Sequence, residues 1–142
     1  MEQAITKLFE RYEHAFNTAL AGDTDLDEVS SLYTDVFVSA TPAGISTGTN
    51  DESLKRVMKA GFEHYRAIGT TRMAVHQLHV DPIDALHAIA FVDWIATYDR
   101  QGSTLNIPFT NAYFVRLQGD APKVFGWVTG DEEAELRKHG IG

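Results

Sequence analysis

At Thr71 the spacing of the apolar residues changes from three-and-four to two, and that change constrains the fold more than any other feature of the chain. Before it, Ile5, Leu8, Phe9, Tyr12, Ala15, Phe16, Ala19 and Leu20 recur on one helical face, and Gly22 is placed to end the helix. Thr24 or Asp25 can cap a short second helix carrying Leu26, Val29, Leu32 and Tyr33. Phe37 to Ala40 then reads as a short strand, followed by a loop, PAGISTGTN. Thr49 and Glu52 have capping-box spacing for a third helix, which presents Leu54, Val57, Met58, Gly61, Phe62 and Tyr65 and is closed by Gly69.

Beyond Thr71, strands are expected near 72–80, 86–99, 104–118 and 123–129, with turns at Asp81-Pro82, Gln101-Gly102 and Gly119-Asp120. Successive strands of this kind make an antiparallel meander. The chain ends in a short helix with Asp131 as N-cap, Glu132 and Glu133 in the first turn and Arg137, Lys138 and His139 in the last, matching the helix dipole. Helices first and a sheet afterwards, in 142 residues without a flexible linker, point to one α+β domain over 1–142. Its helices must cover one face of the sheet.

The stretch AIAFVDWIATYD, Ala88 to Asp99, sets an acid, Asp93, inside an apolar strand. An unpaired buried carboxylate would cost several kcal/mol or more, so the side to which Asp93 points decides between chemistry and a structural role. A two-residue hairpin at Gln101-Gly102 pairs Arg100 with Ser103 and brings Asp93 opposite Thr110. One face then holds Ala88, Ala90, Val92, Trp94, Ala96 and Tyr98 with Leu105, Ile107, Phe109, Asn111, Tyr113 and Val115. The other holds Ile89, Phe91, Asp93 and Ile95 with Pro108, Thr110, Ala112 and Phe114, although proline sits badly inside a strand. If Gln118 opposes Lys123, then Val124, Gly126 and Val128 join the first face and Phe125 and Trp127 the second.

Both faces are apolar, whereas a sheet covered on one side normally turns polar residues to water on the other. The second face is therefore expected to meet a second copy in a two-fold dimer through Ile89, Phe91, Asp93, Ile95, Phe114, Phe125 and Trp127. The first face alternates small residues with polar-tipped aromatics, which leaves space for a pocket bounded by Tyr12, Phe16, Tyr33, Met58, Phe62, Trp94, Asn111 and Tyr113. Such a pocket suits a small apolar or aromatic ligand, oriented by Asn111 and Tyr113.

Other chemistries find little support. The net charge of -8 comes with no basic cluster, which argues against a nucleic-acid partner. Without cysteine there is no disulfide, thiol catalyst or thiolate metal site. His76 and His79, three apart in a strand, diverge, so no metal is expected. The glycines at 44 and 48 lack the spacing and lysine of a phosphate loop, and no cofactor is expected. MEQAITKLFERYE lacks the apolar core of a signal peptide and no run reaches membrane-spanning length, so the expected setting is cytoplasmic, with no membrane. Glu132 and Glu133 read as dipole compensation rather than an acid–base pair.

The order of elements, with LYTDVFVSATPAGISTG before a helix and KVFGWVTGDEEAEL at the end, resembles the NTF2-like superfamily, in its SnoaL-like and ketosteroid-isomerase-like branch, over nearly the full chain. The resemblance implies a cystatin-like cone, three helices packed on a curved, mostly antiparallel sheet with a short C-terminal helix, enclosing a pocket and often dimerising through the outer sheet face. It also implies where isomerase groups would stand. The general base would be the residue before the proline of the Pro-x-Gly loop, here Thr41; the strand acid is replaced by Tyr113; the helix-borne tyrosine has an approximate counterpart in Tyr12. A threonine hydroxyl does not take a proton from carbon near neutral pH without an activating base. The expected function is thus small-molecule binding with no reaction assigned. Two alternatives stand beside it: an isomerase, cyclase or hydratase of the SnoaL or ketosteroid-isomerase type using Tyr113 and Tyr12 as hydrogen-bond donors, and a protein-interaction module using the outer sheet face.

Overall fold

The apolar stripe of the first segment forms α1 (Glu2–Leu20), burying Ile5, Leu8, Phe9, Ala15 and Ala19, and the chain turns at Gly22 with φ +99°. Asp25 caps α2 (Leu26–Ser30) by accepting the Glu28 N–H at 3.0 Å. After β1 (Tyr33–Thr41) comes β2 (Gly44–Thr49), then α3 (Glu52–Ala67), β3 (Thr70–Pro82), β4 (His87–Arg100), β5 (Ser103–Gln118), β6 (Ala121–Val128) and α4 (Glu132–Lys138). These elements belong to a computed structural model, which describes residues 1–119 and 121–141. The fold is α+β, as the change of period requires: a six-stranded sheet in the order β2-β1-β6-β5-β4-β3, antiparallel except for the β1–β6 pair.

Several local expectations are corrected. The expected loop after β1 contains a strand, because Ile45 to Thr49 pair with Val36 to Ala40 in a hairpin; its Gly- and Ser/Thr-rich sequence carries no strand signal. The cap of α3 is Asp51, whose carboxylate accepts the Ser53 N–H at 2.8 Å, and not Thr49, which is already held in β2. The β3 strand runs on through Asp81-Pro82, and the turn falls later, where the Asp84 carboxylate accepts the Leu86 and His87 N–H groups at 2.8 Å. In the expected Gly119-Asp120 turn, Gly119 has φ +63° and Asp120 lies outside the described residues.

The central hairpin has the expected register, with Arg100 opposite Ser103 and Asp93 opposite Thr110. Asp93 points away from the helices, and the Thr110 hydroxyl donates to its carboxylate at 2.6 Å. Pro108 pairs with Ile95 without disrupting the ladder. β6 covers β5 only over Ala112–Gln118, so Pro108 lies where β5 has β4 as its one ladder partner and no second neighbour needs its missing N–H.

The last hairpin differs. Gln118 opposes Ala121 rather than Lys123, which keeps the expected faces as far as Val124, but a bulge at Phe125 then shifts the register. Beyond it Phe114 opposes Gly126 and Tyr113 opposes Trp127. Trp127 therefore joins the helix-covered face, and Gly126 and Val128 the outer one. Phe125 remains outside, stacked on Phe114 with ring centroids 5.8 Å apart.

On the inner face Ala88, Ala90 and Ala96 are no more than 1% exposed. None of the three lines the cavity described below, so the small residues of β4 are closely packed and are not what opens that space. α1 also seals the β3 edge. The Asn17 amide donates to the Met73 carbonyl at 2.7 Å and accepts the Met73 N–H at 2.8 Å, and the Glu13 carboxylate accepts the Val75 N–H at 2.5 Å beside a bulge. None of the described helices is long and apolar enough to cross a membrane.

Candidate functional site

The helices and sheet part company on the β6 side of α1, and there they enclose a cavity of about 320 Å³. Tyr12 and Phe16 reach it from α1, Tyr33 from the start of β1, and Met58 and Phe62 from α3. Trp94, Asn111 and Tyr113 form its floor on β4 and β5. The structure thus brings together around one space all the residues expected to bound a pocket. The space exists because α3 does not close on the sheet: of its apolar face only Leu54 and Phe62 are buried, and Val57 is 69% exposed.

The floor is a hydrogen-bonded group. The Tyr113 hydroxyl oxygen accepts the indole N–H of Trp94 at 3.0 Å and an amide N–H of Asn111 at 3.2 Å. A phenol oxygen has two acceptor positions and one proton to give, so with both positions taken Tyr113 is left as a donor. Above it the Tyr33 hydroxyl donates to the Tyr12 hydroxyl at 3.0 Å. The rings of Tyr12 and Tyr113 meet edge-on at 5.8 Å, and Tyr12 also lies 5.6 Å from the Trp94 ring. Burial pushes the Tyr12, Tyr33 and Tyr113 phenols well above the ordinary tyrosine range, so all three remain neutral.

The sequence reading missed part of the wall. Trp127, brought inward by the Phe125 bulge, stacks on Phe37 at 5.2 Å and meets Tyr33 at 5.4 Å. It is removed from the expected dimer face; the other members of that set, Ile89, Phe91, Asp93, Ile95, Phe114 and Phe125, are placed on the outer face by their pairings and stacking. At the mouth stands Glu132, which the sequence marked only as a dipole partner. Its carboxylate oxygens accept the Tyr65 hydroxyl at 2.8 and 3.0 Å. Burial, with the Glu132 charge second, pushes the Tyr65 phenol strongly up. No local pattern could reveal this contact, because Tyr65 and Glu132 are 67 residues apart.

Thr41, at the position the resemblance assigns to a general base, is exposed at the β1–β2 turn, where its hydroxyl accepts the Ala43 N–H at 3.2 Å, and it is not part of the cavity wall. Among the described residues Glu132 is the one carboxylate of that wall, which holds no Lys, Arg or His. Among the described residues no group of His, Cys, Asp and Glu could hold a metal ion. The arrangement can enclose an apolar body, donate a hydrogen bond from Tyr113 and present a carboxylate at the opening.

Comparisons with known proteins agree on the architecture. Among curated proteins none matches the sequence. An NTF2-like protein of unknown function from Shewanella oneidensis is 15% identical, with 92% of this chain and 98% of that one covered and a TM-score of 0.67. An NTF2-like protein with a cystatin-like fold from Novosphingobium aromaticivorans is also 15% identical, with coverage of 96% and 86% and a TM-score of 0.70. A ketosteroid isomerase-like protein from Erwinia carotovora is 20% identical, with coverage of 90% and 93% and a TM-score of 0.64. These likenesses establish the cystatin-like cone expected from the sequence. The family model described as NTF2-like protein (DUF6841) matches residues 2–132, and the chain belongs to that family.

Proposed function

We propose that the protein binds a small, largely apolar molecule in the cavity and pairs with a second copy of itself through the outer sheet face. One observation carries the first half: the Tyr113 hydroxyl, whose oxygen accepts from Trp94 and Asn111, stands with Tyr12 on the wall of a largely apolar cavity of about 320 Å³. An apolar enclosure with a few fixed polar groups is the usual form of a small-molecule site. A thermal-shift screen of aromatic and polyketide-like compounds tests it. A binder raises the melting temperature with ligand excess, and this rise is lost in Tyr113→Phe. No response from chemically varied compounds would sink the reading.

The second half is supported by a broad apolar surface. Ile89, Phe91, Ile95, Phe114 and Phe125 adjoin Val38 and Val128, which are 41% and 44% exposed. Burial of such a face against its own copy satisfies it without a foreign partner. Gel filtration with light scattering should give a dimer at micromolar concentration and a monomer for Phe91→Arg. A monomeric wild type would leave the face to another protein.

A second reading is favoured by the paired phenols of Tyr12 and Tyr113: an enzyme of the SnoaL or ketosteroid-isomerase type that polarises a carbonyl. It lacks an acid or base in the depth of the cavity. Turnover abolished by Tyr113→Phe and retained in Asp93→Asn would establish it over simple binding.

A further inference from the structure

The electrostatics of the cavity wall specify more than an apolar ligand. We infer that the ligand is a cation, an organic amine or ammonium with an apolar body, whose positive end sits beside Glu132 while its body lies among the rings. The inference rests on the reading of the cavity as a ligand site and adds the sign of the ligand's charge.

Among the described residues the wall contains a carboxylate and no basic side chain to balance it. Glu132 is held only by the neutral Tyr65 hydroxyl, through both oxygens, and takes part in none of the ion pairs among the described residues. Its neighbours on α4 differ: Glu133 pairs with Arg137, and Glu135 with Lys138 and His139. The local excess of negative charge therefore stands where α4 meets the mouth.

The remainder of the wall favours the same sign. Phe16, Phe62, Tyr65, Trp94, Tyr113 and Trp127 line the space, and an aromatic ring whose face meets a ligand attracts a cation and repels an anion. A carboxylate ligand would meet Glu132 and these rings with, among the described residues of the wall, no Lys, Arg or His to receive it. Glu132 is also felt beyond its own contact: after burial its charge helps to raise the phenols of Tyr65 and Tyr98, and after burial and Tyr33 it adds a smaller push on Tyr12. A field that opposes a tyrosinate in the cavity favours an ammonium there. The volume accommodates an aromatic ring system with a short side chain.

Isothermal titration with matched compounds tests the inference: tryptamine, tryptophol and indole-3-acetate, and the phenyl counterparts phenethylamine, 2-phenylethanol and phenylacetate. Each set keeps the body and changes the end group from cation to neutral to anion. The amine should bind about tenfold more tightly than the alcohol, the acid more weakly than either, and the amine's advantage should shrink as salt is added. Glu132→Gln should bring amine and alcohol to within about twofold of each other. Gly61→Phe, which sets a ring into the cavity from α3, should abolish binding of all members. An alcohol or acid that binds as tightly as the amine, or an amine preference that survives Glu132→Gln, overturns the cationic ligand but leaves the pocket standing. Failure of every compound at millimolar concentration, or binding that persists in Gly61→Phe, overturns the pocket and the inference together.

Discussion

The phenol oxygen of Tyr113 accepts the indole N–H of Trp94 at 3.0 Å, across the β4–β5 ladder and out of reach of solvent. Tyr113→Phe removes the acceptor from that N–H and from the Asn111 amide while keeping the ring. Leaving a buried donor unsatisfied costs about 1–3 kcal/mol, so urea unfolding followed by tryptophan fluorescence should show a loss in that range. A change under about 0.5 kcal/mol would mean that water serves both donors and that the floor is less dry than described.

Gly61 faces the cavity from the middle of α3, and a Cβ built there meets nothing within 4 Å. Replacement of a helical glycine gains roughly 0.5 kcal/mol when the new side chain meets no obstacle. Gly61→Phe should therefore fold with equal or slightly greater stability. A destabilisation of more than about 1 kcal/mol in thermal or urea unfolding would show that α3 has less space in front of it.

Gly69 is constrained in the opposite way. Its φ is +90°, and a Cβ would lie 2.6 Å from the Asp99 carbonyl oxygen, which is backbone and cannot swing aside. The turn from α3 into β3 depends on this approach, since Asp99 N–H donates back to the Gly69 carbonyl at 2.9 Å. Gly69→Ala adds left-handed strain to a clash and should cost about 2–4 kcal/mol. Retention of wild-type stability in denaturant would contradict the described contact.

The chain's five tyrosines all have phenols raised above the ordinary tyrosine range, chiefly by burial. A folded phenol of this kind keeps its proton after the unfolded one has lost it. Its contribution to stability is thus complete below about pH 10 and declines as pH rises from there towards the folded values. In an alkaline titration, tyrosinate absorbance should emerge together with loss of near-ultraviolet circular dichroism, as one transition above pH 10. Independent ionisation of one or more tyrosines in the intact protein near pH 10 would count against the buried cluster.

Much of this architecture was legible because hydrophobic period and turn chemistry are local. The change at Thr71 separates helices from sheet, and Gln101-Gly102 sets a register that brings Asp93 opposite Thr110, 17 residues later, and outward from the cone. What escaped is decided by distant partners. Strand β2 is polar and glycine-rich, and it exists because β1 lies beside it; the bulge at Phe125 has no signature in KVFGWV, yet it reverses Trp127. Gly126 shows the reason after the fact. A Cβ there would stand 3.1 Å from the Phe114 ring and from the Val38 carbonyl, so the outer side admits glycine and the tryptophan goes inward. Glu132 has the same lesson: its place in a first helical turn was readable, its contact with Tyr65 was not.

The contacts of Asn17 and Glu13 with Met73 and Val75 give α1 a duty beyond lining the cavity with Tyr12 and Phe16. Those side chains occupy three of the backbone groups, the Met73 N–H and C=O and the Val75 N–H, through which the outermost strand could recruit another molecule. Loss of the N-terminal helix would bare a hydrophobic trough and unlock a templating margin in one stroke, so the truncated chain should assemble into fibrous aggregates rather than persist as a leaky binder.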